Sequence, residues 1–97
     1  MPTYRRLPRF DRDYKALTPE ERVTFKRAVE KLIADLKAGR RPRAGLRVKA
    51  VQRAPGIYEL SWAANGRATF EYGEPVRKDE AHIIWRRVGT HDVLDDA

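Results

Sequence analysis

Gly56-Ile57-Tyr58-Glu59-Leu60-Ser61-Trp62-Ala63-Ala64-Asn65-Gly66-Arg67-Ala68-Thr69-Phe70-Glu71-Tyr72 is the stretch that decides the fold. Two alternating runs flank Asn-Gly, the strongest short hairpin signal, because both residue types tolerate the left-handed backbone of a tight turn. A strand over residues 57–63 puts Tyr58, Leu60 and Trp62 on one face and Ile57, Glu59 and Ser61 on the other. Its return over residues 67–72 puts Ala68, Phe70 and Tyr72 on the first face and Arg67, Thr69 and Glu71 on the second. One face of this hairpin is apolar and needs a cover; the other is polar.

The cover lies upstream. Thr18-Pro19-Glu20-Glu21 is a helix start: an N-cap threonine, proline at the first helical position and acids in the first turn. Glu21, three residues after Thr18, completes a capping box. Phe25, Val29, Leu32, Ile33 and Leu36 then recur at helical spacing as a single apolar stripe. Lys37-Ala38-Gly39 is the stop signal. Phe10, Tyr14 and Leu17 predict a shorter helix over residues 11–17, and residues 4–7 a first strand.

Downstream of the helices, residues 40–45 form a basic loop, and Leu46 to Arg53 alternates enough to predict another strand. Ala54-Pro55-Gly56 is a turn. A charged loop follows over residues 73–80, and residues 81–88 form the last strand, after which Gly89 permits a sharp turn. Helices first and a meander afterwards define an α+β domain over residues 1–97. Its N-terminal helical hairpin packs on one face of a small antiparallel sheet. The other face has no helix to cover it and carries Arg47, Lys49, Glu59, Ser61, Arg67, Thr69 and one of Arg86 or Arg87, with His91 at the end of the last strand.

Composition narrows the function. Twenty-one Lys and Arg against 14 Asp and Glu leave +7, and seven bases between Lys37 and Arg53 are interrupted by no acid. Such a block suits a polyanion, either nucleic acid or an acidic protein. There is no cysteine, so a disulfide framework and a thiolate metal site are excluded. Two histidines without a carboxylate cluster point to no metal site, and no cofactor is expected. No run approaches the length of a membrane span, so no membrane partner is expected and the cytoplasm is the default location.

The order of these motifs resembles the RelE/ParE toxin superfamily, in particular its RelE-type branch and the YafQ- and HigB-like relatives. The resemblance rests on Phe10-Asp11-Arg12-Asp13-Tyr14 opening the first helix, on Gly56-Ile57-Tyr58-Glu59-Leu60, on Arg67-Ala68-Thr69-Phe70 and on Gly89-Thr90-His91-Asp92. It implies a bacterial toxin of a type II toxin–antitoxin pair, with a cognate acidic antitoxin as partner. RelE-type members cleave messenger RNA on the ribosome, whereas ParE-type members inhibit DNA gyrase. His91 matches the position of a catalytic histidine in YafQ-like members, and Arg67 a strand arginine on the scissile phosphate. Glu59 stands where RelE proper has one lysine of a pair, and Ser61 where it has the other.

The residues fit that chemistry on their own terms. RNA cleavage by its own 2′-hydroxyl needs a base, a cation for the phosphorane and an acid for the leaving 5′-oxygen, and it requires no metal. Arg67 suits the phosphorane through its planar fork. His91 suits either proton transfer. Glu59 is a second candidate base, or a cross-strand ion-pair partner of Arg67. Arg47, Lys49, Arg53, Arg86 and Arg87 are candidates for holding backbone phosphates. Two alternatives stand beside a nuclease: a gyrase inhibitor of the ParE kind, and an inactive RNA- or antitoxin-binding module.

Overall fold

In the computed structural model, residues 2–97 are described, and they form a five-stranded sheet with two helices on one face. The strands are β1 (Thr3–Arg6), β2 (Lys49–Ala50), β3 (Tyr58–Ser61), β4 (Gly66–Tyr72) and β5 (His82–Thr90), in the spatial order β1-β5-β4-β3-β2. Helices α1 (Pro8–Ala16) and α2 (Pro19–Lys37) follow β1. The meander β2 to β5 is antiparallel as expected, but β1 pairs with β5 in parallel, so the sheet is mixed. A parallel pair needs a long crossover between its strands, and everything from α1 to β4 supplies it.

Helix α2 begins as its sequence dictates. Thr18 Oγ1 accepts the Glu21 amide at 3.1 Å, and Glu21 Oε1 accepts the Thr18 amide at 2.8 Å. Helix α1 starts earlier than predicted, with Pro8 in its first turn, where a missing N–H costs nothing. The core lies between helices and sheet. Leu32, Leu60, Ala68, Phe70 and Ile83 are fully buried, with Phe10, Phe25, Trp62 and Trp85 almost so. Phe25 meets Trp85 edge-on at 5.5 Å between ring centroids, and Phe70 lies 5.4 Å from Trp85. Contacts of this kind add about 0.5–1.5 kcal/mol each beyond burial.

Three local predictions are corrected. The strand expected over Leu46 to Arg53 shrinks to Lys49–Ala50: Ala44–Leu46 forms one 3-10 turn, and Arg47 and Arg53 adopt left-handed φ of 50° and 66°. Left-handed residues cannot continue an extended strand. The hairpin at Asn65-Gly66 exists, but its turn is wider than two residues, and neither residue has positive φ. The Trp62 amide donates to the Gly66 carbonyl at 3.2 Å, and Gly66 is the first residue of β4. Its glycine is required for another reason: a Cβ there would lie 2.5 Å from the Trp62 ring.

The third correction concerns the face away from the helices. Gly89 does not turn; β5 runs through it to Thr90, and only then does the chain fold into a 3-10 segment, His91–Asp96. That segment lies over the sheet with Val93 buried, and a Cβ on Gly89 would stand 3.0 Å from Val93 Cγ1. Thr69 and Glu59, expected on an open polar face, are therefore buried.

Candidate functional site

Sheet register aligns the polar candidates in two rows. One row crosses the sheet as Lys49, Glu59, Thr69 and Arg87, and the next as Ser61, Arg67 and Gly89. Glu59 and Ser61, two residues apart on β3, are about 7 Å apart along the strand. Beyond Gly89 the 3-10 segment carries His91 back toward the Glu59 row. The result is a groove of about 420 Å³ whose wall includes Lys49, Gln52, Glu59, His91 and Leu94. Two of the three catalytic candidates, His91 and Glu59, thus share one cavity with Lys49.

Glu59 is buried, and its Oε1 lies 3.9 Å from Lys49 Nζ, across the β2–β3 pair. The cross-strand bridge to Arg67, one reading of the sequence, is not formed. Arg67 Nη1 instead donates to the carbonyls of Gly66, Ala63 and Ala64 at 2.8, 3.3 and 3.3 Å. The hairpin loop is wide, so its carbonyls face inward and hold the guanidinium. Arg67 lines a different groove of about 530 Å³, between α2 and the hairpin, together with Arg27, Lys31, Arg43, Arg47 and Trp62. Arg53 lines neither groove and is exposed.

The two arginines of β5 were expected to alternate, one toward the polar face and one away. A β-bulge breaks that alternation. Thr69 pairs with Arg87 and Phe70 with Trp85, which leaves Arg86 as an extra residue on β5. Both side chains then reach the C-terminal segment. Arg86 bonds Glu71 at 2.6 Å and the Ala97 carbonyl at 3.0 Å. Arg87 bonds Asp13 at 2.6 and 3.2 Å and the Asp96 carbonyl at 3.2 Å. Asp13 raises the Arg87 pKa above its ordinary value by hydrogen bonding and charge. Asp13 also accepts the Val88 amide at 3.2 Å, at the point on β5 where β1 has ended.

Part of the seven-base run is likewise occupied. Asp35, on α2 and only 3% exposed, accepts the Arg43 amide at 2.9 Å and both arms of its guanidinium at 2.9 and 3.0 Å. Arg40 adds a longer contact at 3.5 Å. Hydrogen bonding from Arg43, more than charge, lowers the Asp35 pKa from its ordinary 3.8 to about 2. This clamp fixes the turn that presents Arg47. Sequence reading missed Asp35, and it missed Arg27 and Lys31 as groove residues. A signal for the last two existed: Thr24, Arg27 and Lys31 stand at i, i+3 and i+7, one polar face of α2 beside its apolar stripe.

A mixed sheet with a helical hairpin on one face and a short C-terminal segment on the other is the fold of the RelE-like toxins. The chain is similar to the solved structure of YafQ from E. coli strain BL21(DE3), at 16% identity and a TM-score of 0.64 over 97% of this chain and 98% of that one. It is similar to the toxin–antitoxin complex DinJ-YafQ of E. coli, at 15% identity and a TM-score of 0.65 over 96% of each chain. The RelB-RelE antitoxin–toxin complex of Methanococcus jannaschii gives 20% identity and a TM-score of 0.60 over 95% of each. No protein-family profile and no curated sequence matches the chain. No helix among the described residues is long and apolar enough to cross a membrane.

Proposed function

We propose that this protein is the toxin of a type II toxin–antitoxin pair and that it acts as a metal-independent endoribonuclease on messenger RNA at the ribosome. The observation that carries the reading is the groove that joins His91, Glu59 and Lys49 on a cationic protein. Glu59, fixed beside Lys49 and surrounded by protein, takes the proton of the 2′-hydroxyl. The 2′-oxygen then attacks phosphorus, and the bond from phosphorus to the 5′-oxygen breaks. His91, exposed at the rim, gives its proton to that leaving oxygen. The products are a 2′,3′-cyclic phosphate and a free 5′-hydroxyl. Lys49 neutralises charge on the phosphorane, while Arg67, in the adjoining row, holds a neighbouring phosphate. An acidic antitoxin segment folding onto the cationic face would complete the system.

The test is controlled expression of wild type, His91→Gln and Glu59→Gln, reading growth and the chemistry of RNA ends. Each substitution is expected to lower cleavage by about 10²–10⁴-fold. Cleavage at the wild-type rate in both variants overturns the proposal. A second reading, an antitoxin-binding module without nuclease activity, is favoured by one observation: Arg67 is tied to hairpin carbonyls in a groove separate from His91. Tight antitoxin binding with no growth inhibition by wild type selects it.

A further inference from the structure

The larger groove, between α2 and the β3–β4 hairpin, has no part in the proton transfers above. Five cations line it, from Arg27 and Lys31 on α2, Arg43 and Arg47 around the 3-10 turn, and Arg67 on β4, and no acid among the described residues does. Arg43 and Arg67 are held by Asp35 and by the hairpin carbonyls. The side chains of Arg27, Lys31 and Arg47 have no hydrogen-bond or ion-pair partner among the described residues. Three unpaired cations facing one cavity repel one another and leave their charge to be met by solvent or ligand. The wall between them is Trp62, buried to 8% exposure, whose Nε1 is inaccessible and has no acceptor.

The geometry points to this groove as a second binding site, separate from the His91–Glu59 groove, for the backbone phosphates of single-stranded RNA; Ser61 and Arg67 on its wall stand in the sheet row next to that of Glu59. The inference rests on the nuclease reading for its direction, since it places the strand leaving the cleavage groove. An RNA backbone fits better than an acidic peptide. The groove presents guanidinium forks and side chains, and its open strand edge is short: β2 covers only Tyr58 and Glu59, which leaves the β2 side of β3 unpaired at Leu60 and Ser61 alone. Two residues of edge would pair little of a peptide laid there and leave most of its amides and carbonyls without partners, whereas a phosphodiester has only acceptors to satisfy. The Asp35 clamp pre-orders the turn, so Arg47 is presented without ordering a loop on binding.

The test measures binding of a fluorescein-labelled single-stranded RNA, too short to engage a ribosome, against salt concentration. It compares wild type, a charge-matched control Arg5→Gln/Lys15→Gln/Lys78→Gln outside both grooves, and a triple variant Arg27→Gln/Lys31→Gln/Arg47→Asn. Asparagine is chosen at position 47 because it tolerates the left-handed backbone there. The triple variant is expected to bind roughly tenfold or more weakly, with a log–log salt slope shallower by about 2, from three phosphates at about 0.7 each. The charge-matched control is expected to keep the wild-type slope, since its three cations line neither groove. An unchanged slope in the triple variant overturns the inference. So does equal displacement of the RNA by polyglutamate of matched charge, which would make the groove a seat for acidic protein. If the triple variant loses binding while wild type never cleaves, the groove stands and the nuclease reading falls. An unchanged slope alongside loss of cleavage in His91→Gln does the opposite: the nuclease reading stands and the groove falls.

Discussion

Both ends of the sheet carry a cluster of cations, and the clusters differ in how much of their charge is met within the protein. At the β5 end, Arg86, Arg87 and Arg9 each meet a carboxylate, from Glu71, Asp13 and Asp96, and each also meets a carbonyl of residue 96 or 97. At the hairpin end, Arg27, Lys31 and Arg47 meet none among the described residues. The first set is structural glue, holding the C-terminal segment over the sheet and α1 against the strand edge. The second is charge left available. Net charge reports their sum and cannot separate them; the deciding quantity is whether an acid lies within a few ångströms.

The largest effect is expected at Asp13. Its carboxylate serves both Arg87 and the Val88 amide, and removing it strands a partly buried guanidinium and a backbone donor. Asp13→Ala is expected to lower unfolding free energy by about 2–3 kcal/mol in urea denaturation. A loss below about 0.5 kcal/mol would show that the β5 end is not held this way. Asp35→Asn comes next and carries a pH signature. Because the folded pKa of Asp35 lies below its ordinary value, the stability it contributes is fully present above pH 3.8 and is lost as pH falls toward 2. Thermal melts of wild type and Asp35→Asn should therefore differ at neutral pH and converge toward pH 2; parallel curves would contradict the clamp. The smallest effect is expected at the free end. Arg27→Gln and Lys31→Gln should each change stability by no more than about 0.5 kcal/mol, since neither cation has a partner to lose. A larger loss in either would reveal a structural role and erase the contrast between the two ends.

How far the fold was legible depends on how local its causes are. The capping box of Thr18 and Glu21 forms as read, because all its partners lie within one helical turn. The α2 stripe was read nearly correctly, with Phe25 and Leu32 buried and Val29 and Leu36 packed at the margin of the core. The hairpin was legible, but not the reason for its glycine: Gly66 is needed beneath the Trp62 ring and not for a left-handed turn. The bulge at Arg86 was hidden, because an inserted residue looks like ordinary alternation until the partner strand fixes the register. Of the candidate site, Glu59 and Lys49 were placed on one polar face from the sequence with His91 at its end, but the C-terminal segment that walls part of that face into a groove was not foreseen. That groove exists because the chain after Thr90 folds back over the sheet, where Val93 finds apolar cover.

The α+β layering, the capped helix, the antiparallel meander and the excess of positive charge are all written in the order and types of the residues. Each follows from periodicity, capping chemistry or composition, which act over a few residues or over none in particular. Which cations are left unpaired follows from packing alone. Asp13 and Arg87 are 74 residues apart and Arg86 and Glu71 are 15 apart, yet each pair closes to 2.6 Å. An ion pair depends on separation in space, and only packing of α1, the sheet and the C-terminal segment sets that separation.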